Sequence, residues 1–167
     1  KNLIIDGVGN ILFQDSNDEL KYFINKNDKI FDFRTSLNIK KNPFIISFLN
    51  FQKNLDNEMA IIFDGSIELD KKSKIDLISI KENNNEFSIK NIELDKKYRI
   101  IDFEIAELDY LDKEDQLNKI KLTKKKDKYL LRGSFFNANN LIKNWINNDE
   151  KKFNSLNEDL NLDVKID

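Results

Sequence analysis

Through the middle of the chain, apolar and polar positions alternate with a period close to two, broken at short intervals by polar clusters. Met59–Leu69, Lys74–Lys81, Glu86–Glu93, Tyr98–Leu108, Lys119–Thr123 and Lys128–Phe136 all follow this pattern. A period of two places alternate side chains on opposite sides of an extended backbone, so these six segments predict half-buried strands. The clusters between them, such as Asn83-Asn84-Asn85 and Lys124-Lys125-Lys126-Asp127, carry turn-forming residues. Strands at this spacing with short connections predict a β-meander, the material of sandwiches and barrels. No long helical pattern lies between them to carry a parallel crossover, so the sheet is expected to be mainly antiparallel.

The flanks read differently. Leu3 to Phe13 suggests two short strands around a Gly7-Val8-Gly9 turn. Ser16-Asn17-Asp18-Glu19 has the form of a capping box, and Leu20, Phe23 and Ile24 follow at helical spacing, so a short helix over about 17 to 25 is expected. Ile30, Phe31 and Phe33 mark a strand continuing towards Ile39. Residues 43–51 fit a helix started by Pro43 or a buried strand, and are read as a strand. Near the end, Ala138, Leu141, Ile142, Trp145 and Ile146 recur at intervals of three and four, the clearest helical stripe in the chain. Phe153, Leu156 and Leu160 extend that spacing into a second helix or a kinked extension of the first, and Leu162–Ile166 alternates like an edge strand.

The expected fold is therefore α+β: a mainly antiparallel β-meander, sandwich- or barrel-like, with a short N-terminal helix and a C-terminal helical segment. All of it falls in one domain, residues 1–167. The core is expected at Phe63, Ile78, Ile101, Phe103, Ile105, Leu130, Leu141 and Trp145.

Composition adjusts this picture. A mean hydropathy of -0.60 and 35% charged residues would suit disorder, but the chain is 40% apolar and holds 13 Phe. Enough apolar surface is present to offset the entropy of ordering. At 167 residues, a domain buries about 70% of its unfolded surface without disulfides or a structural metal. The wealth of Lys, Asn, Ile and Phe beside a single Pro suggests an AT-rich genome. A net charge of -2, with Arg only at positions 34, 99 and 132, argues against general nucleic-acid binding. No apolar run approaches the ~18 residues of a membrane span, and no signal peptide is recognisable. A soluble chain is expected; the compartment is not readable.

The chemistry is restricted by what is missing. Without His or Cys there is no Ser-His-Asp triad, thiol nucleophile or imidazole zinc site. Neither a G-x-x-x-x-G-K-[ST] loop nor a G-x-G-x-x-G fingerprint occurs. The densest acidic stretch is Asp102, Glu104, Glu107, Asp109, Asp112, Glu114 and Asp115. On one strand Asp102 and Glu104 would share a face and form a candidate site for Mg²⁺ or Ca²⁺. The competing reading makes them the solvated side of a strand whose other face carries Ile101, Phe103 and Ile105. No catalytic or cofactor-binding residue is assigned and no cofactor is expected.

These observations favour a non-catalytic protein-interaction, surface or assembly domain, bound to a protein partner or to itself through exposed strand edges. The alternative is a small-molecule-binding β-barrel. The order of meander, helix and short strand is similar to that of lipocalin-like carriers, without their N-terminal Gly-x-Trp signature. A carboxylate-dependent metal enzyme is third.

Overall fold

The computed structural model describes residues 2–68, 73–147 and 162–166. It is 69% strand and 6% helical, which overturns the α+β expectation. The strands are β1 (Asn2–Phe13), β2 (Ser16–Asn27), β3 (Ile30–Ile39), β4 (Ile45–Ile46), β5 (Phe51–Gln52), β6 (Met59–Glu68), β7 (Ser73–Glu82), β8 (Asn85–Leu94), β9 (Ile100–Asp102), β10 (Ile105–Leu111), β11 (Leu117–Lys125), β12 (Lys128–Phe135) and β13 (Leu162–Ile166). A 3-10 turn covers Ser47–Leu49, and α1 covers Asn139–Asn147.

One eleven-stranded sheet runs in the order β1-β2-β3-β6-β7-β8-β10-β11-β12-β13, with β9 also on β8. Nearly every strand pairs antiparallel with its neighbour in sequence; β13 joins β12 in parallel. The described strands thus form an open ribbon with β1 and β13 at opposite ends, not the sandwich or barrel anticipated. Two-residue turns close four of the hairpins, between Phe13 and Ser16, Asn27 and Ile30, Glu82 and Asn85, and Lys125 and Lys128. The first turn residue has positive φ each time, at Gln14, Asp28, Asn83 and Lys126. That handedness matches the natural twist of the flanking strands.

Three local expectations fail for identifiable reasons. Residues 17–25 belong to β2, hydrogen-bonded on both sides to β1 and β3. Leu20, Tyr22 and Ile24 alternate at period two, and the ladder selects that period over the helical one. Gly7-Val8-Gly9 is no turn but the middle of a twelve-residue strand. A Cβ on Gly7 would lie 2.7 Å from the Tyr22 hydroxyl oxygen, so glycine admits a ring from the paired strand. Residues 43–51 are neither a strand nor a helix throughout, but β4, the 3-10 turn and the start of β5. The C-terminal helix is present as α1, whereas the second helix, over Phe153 to Leu160, lies outside the described residues.

The core is also displaced from the expected one. Register aligns Leu37, Ile61, Ile80, Phe87 and Leu108 in a row across β3, β6, β7, β8 and β10. The 40–58 insertion folds over this row and adds Leu49 and Phe51 to Ile39, Met59, Ile61, Phe87 and Tyr110. Phe51 sits edge-on to Phe87, with ring centroids 4.7 Å apart, and to Tyr110 at 6.0 Å. Of the anticipated core, Phe63 is 38% and Ile101 42% exposed, because the insertion covers only one end of the sheet. Ile78, Phe103, Ile105, Leu130 and Leu141 are half-buried, and the Trp145 side chain lies outside the described set.

Candidate functional site

Three places bring polar or apolar groups together in a way that bears on function. The first is the acidic segment singled out in the sequence. The strand breaks after Asp102, so β9 and β10 are two pieces and Asp102 and Glu104 do not act as a pair. Asp102 accepts hydrogen bonds from Lys124 Nζ, from the Tyr129 hydroxyl at 2.8 Å and from the Phe103 N–H at 2.8 Å. Burial alone would raise its pKa, but the Lys124 and Tyr129 bonds outweigh it and hold the carboxyl below its usual range. The same neighbourhood pushes the Tyr129 hydroxyl up to about 12, through burial first and the Asp102 bond second. Glu104 points to solvent and takes the Asn91 amide. Glu107 pairs with Lys121 at 2.6 Å and Lys90 at 3.4 Å, and Asp109 pairs with Lys119. These cross-strand pairs account for the alternating acids of β10 facing the alternating lysines of β11. Among the described residues no three acidic side chains converge as a metal site would require.

The second place is an open polar recess of roughly 640 Å³ where the insertion meets the ends of β7, β8 and β10. Glu82, at the end of β7, is almost fully buried. It accepts from the Asn54 N–H at 2.7 Å, the Asn57 amide at 3.0 Å and the Asn85 amide at 3.2 Å. Asp112 accepts the N–H groups of Glu114 and Gln116 and the Asn137 amide. Burial opposes its ionisation, yet those donors keep its pKa below the ordinary carboxylate value. Lys53 is buried as well, its ammonium donating to the carbonyls of Lys40 at 2.9 Å and Asn54 at 3.1 Å. Each of these groups already has partners within the fold, and they hold the insertion down. The sequence gives little sign of this role, since an Asn or Lys in so biased a composition stands out poorly.

A related buried cluster fixes the other side of the insertion. Asp18 accepts the Lys40 N–H at 2.9 Å and the Asn42 amide at 2.6 Å, while Asn42 also bonds Ser16 in both directions. The Ser16 and Asp18 that resemble a capping box therefore clamp β2 to the insertion.

The third place is β1. Among the described residues it pairs only with β2, so it forms one edge of the sheet. Leu3, Ile5 and Ile11 are exposed on one face and Ile4, Val8 and Leu12 on the other, with Val8 at 65% and Leu12 at 70%. Asp6 is the single charge between Asn2 and Phe13. Protective devices usual on edges, namely lysines, prolines, bulges and short strands, are missing over twelve residues. Sequence reasoning overlooked this surface because the two glycines suggested a turn in place of one long strand. Among the described residues no helix is long and apolar enough to cross a membrane. Compared with known family models, with curated proteins and with solved structures, the chain matches none.

Proposed function

We propose that this is a non-catalytic interaction domain that works by presenting the β1 edge to a protein partner. The observation that supports it is the combination on β1 of an open backbone edge with large exposed apolar side chains on both faces. An added strand would satisfy the outward N–H and C=O groups and cover those side chains in one step, as in β-strand addition. An apolar surface of this kind on a folded domain marks a place of association. The long ladder behind β1 supplies a stiff support, and the insertion fastens β2 to the rest of the sheet through Asp18 and Asn42.

Photo-crosslinking in the organism that makes the protein tests this reading. A photoreactive residue is placed at Val8, at Leu12 and, as a control, at Lys81 in the middle of the sheet. Adducts of one defined mass from Val8 and Leu12 alone are expected. No adduct from either position, or equal yields from Lys81, would overturn the proposal.

A further inference from the structure

We propose that the partner of β1 is a second copy of this chain, paired antiparallel about a two-fold axis at Val8. This rests on the reading of β1 as the binding edge and identifies its occupant. The support is a chemical palindrome in the edge strand itself. In the register where residue i faces residue 16 − i of the second copy, Leu3 meets Phe13, Ile4 meets Leu12 and Ile5 meets Ile11. Asp6 meets Asn10, Gly7 meets Gly9, and Val8 meets Val8. Every apolar residue opposes an apolar one, the lone carboxylate opposes a neutral amide, and the glycines oppose each other. An isologous two-fold interface requires this self-complementarity.

Backbone geometry supports the same register. The two-residue turn after Phe13 makes Phe13–Ser16 a hydrogen-bonded pair, so odd-numbered residues of β1 bond to β2. The even-numbered residues Ile4, Asp6, Val8, Asn10 and Leu12 then turn their N–H and C=O groups to the open side. Only registers that match even with even can form a ladder, and the Val8-centred one does. Moving the axis to Gly7 sets Ile4 against Asn10 and Asp6 against Val8. Moving it to Gly9 sets Asp6 against Leu12 and Gly7 against Ile11. Both replace matched pairs with mismatched ones, and cross-strand pairs are the unit of sheet stabilisation.

Five even-numbered pairs exchange about ten backbone hydrogen bonds, a normal number for an interface. About eleven residues per copy take part, roughly half of a standard interface, the size class of weak, reversible association, for which a dissociation constant on the order of micromolar is the working value.

Because the chain has no Cys, single-cysteine variants report the register directly. Val8, Ile4 and Leu12 are all exposed, so each variant should melt like the parent protein, which circular dichroism checks first. Under mild oxidation at about 100 µM, well above a micromolar Kd, Val8→Cys should give a disulfide-linked dimer. Its Cα atoms would stand about 5.5 Å apart, within disulfide reach. Ile4→Cys or Leu12→Cys alone should remain uncrosslinked, because each thiol would lie roughly 27 Å from its twin at 3.4 Å per residue. A mixture of Ile4→Cys with Leu12→Cys should crosslink. Ile4→Cys linking to itself as fast as Val8→Cys overturns the register. A unit-mass monomer in sedimentation at the same concentration overturns self-pairing altogether. If photo-crosslinks from Val8 then yield a different protein, the edge reading stands without this occupant; if they yield none, both fail.

Discussion

Replacing Phe51 with Ala tests the assignment of the core most sharply. The ring is fully buried between the sheet and the insertion, 4.7 Å from Phe87 and 6.0 Å from Tyr110. Removing a buried Phe side chain typically costs about 3–5 kcal/mol, and the cost is greatest where neighbours cannot collapse into the space. Phe87 and Tyr110 sit on β8 and β10, which are held in register by a ladder, so collapse is limited and the upper half of that range is expected. For a domain of this size the Tm should fall by roughly 8–20 °C. Phe63, which the sequence pattern places in the core, provides the contrast. It is 38% exposed, and Phe63→Ala should cost at most about 2 kcal/mol on the transfer value of its remaining burial. Urea unfolding followed by circular dichroism, with the slope checked for constancy, measures both. A Phe51→Ala midpoint equal to that of the parent, or a Phe63→Ala loss as large as that of Phe51→Ala, would refute the placement of the core.

Tyr110→Phe keeps the ring but removes the hydroxyl that donates to the Leu49 carbonyl at 2.9 Å. That buried acceptor would lose its partner, so a loss of about 1–3 kcal/mol in the same urea titration is expected. In acid, the depressed pKa values of Asp102, Glu107 and Asp112 give stability that is complete above about pH 5 and declines as pH falls through the folded-state values. Thermal melts from pH 6 to 2 should show this limb, and Asp112→Asn should shallow it. In alkali the sign reverses. Tyr129 titrates near 12 in the fold against an ordinary 10.0, so stability is complete below pH 10 and declines between about 10 and 12, a limb that Tyr129→Phe should reduce.

Strands with strict alternation and a polar turn at each end were legible. The expectations for β3, β6, β7, β8, β11, β12 and β13 fall within a few residues of the observed bounds, because a sheet's own period writes them. Legibility failed where a residue's role is set by something distant in sequence. Ser16 and Asp18 look like a local cap, yet their partners are Lys40 and Asn42, more than twenty positions away. Gly7 looks like a turn, but its smallness answers a ring on the facing strand. Phe63 and Ile101 alternate as core residues do, and nothing local reveals that the insertion covers only the other end of the sheet. Of the candidate site, Asp102 was visible as part of an acidic stretch. Its pairing with Lys124 and Tyr129 depends on strand order. The edge character of β1 was hidden because Gly7 and Gly9 read as a turn that divides one long strand in two.

The central claim, that β1 offers an open backbone edge for pairing, is tested most directly by residue-resolved amide hydrogen exchange at low and high protein concentration. At sub-micromolar concentration the amides of Leu3, Ile5, Gly7, Gly9 and Ile11, bonded to β2, should be protected. Those of Ile4, Asp6, Val8, Asn10 and Leu12 should exchange at nearly unprotected rates. At about 100 µM, well above a micromolar Kd, the second set should slow markedly while the first changes little. Equal protection of both sets at every dilution would mean that the chain itself covers the edge, and would contradict the account.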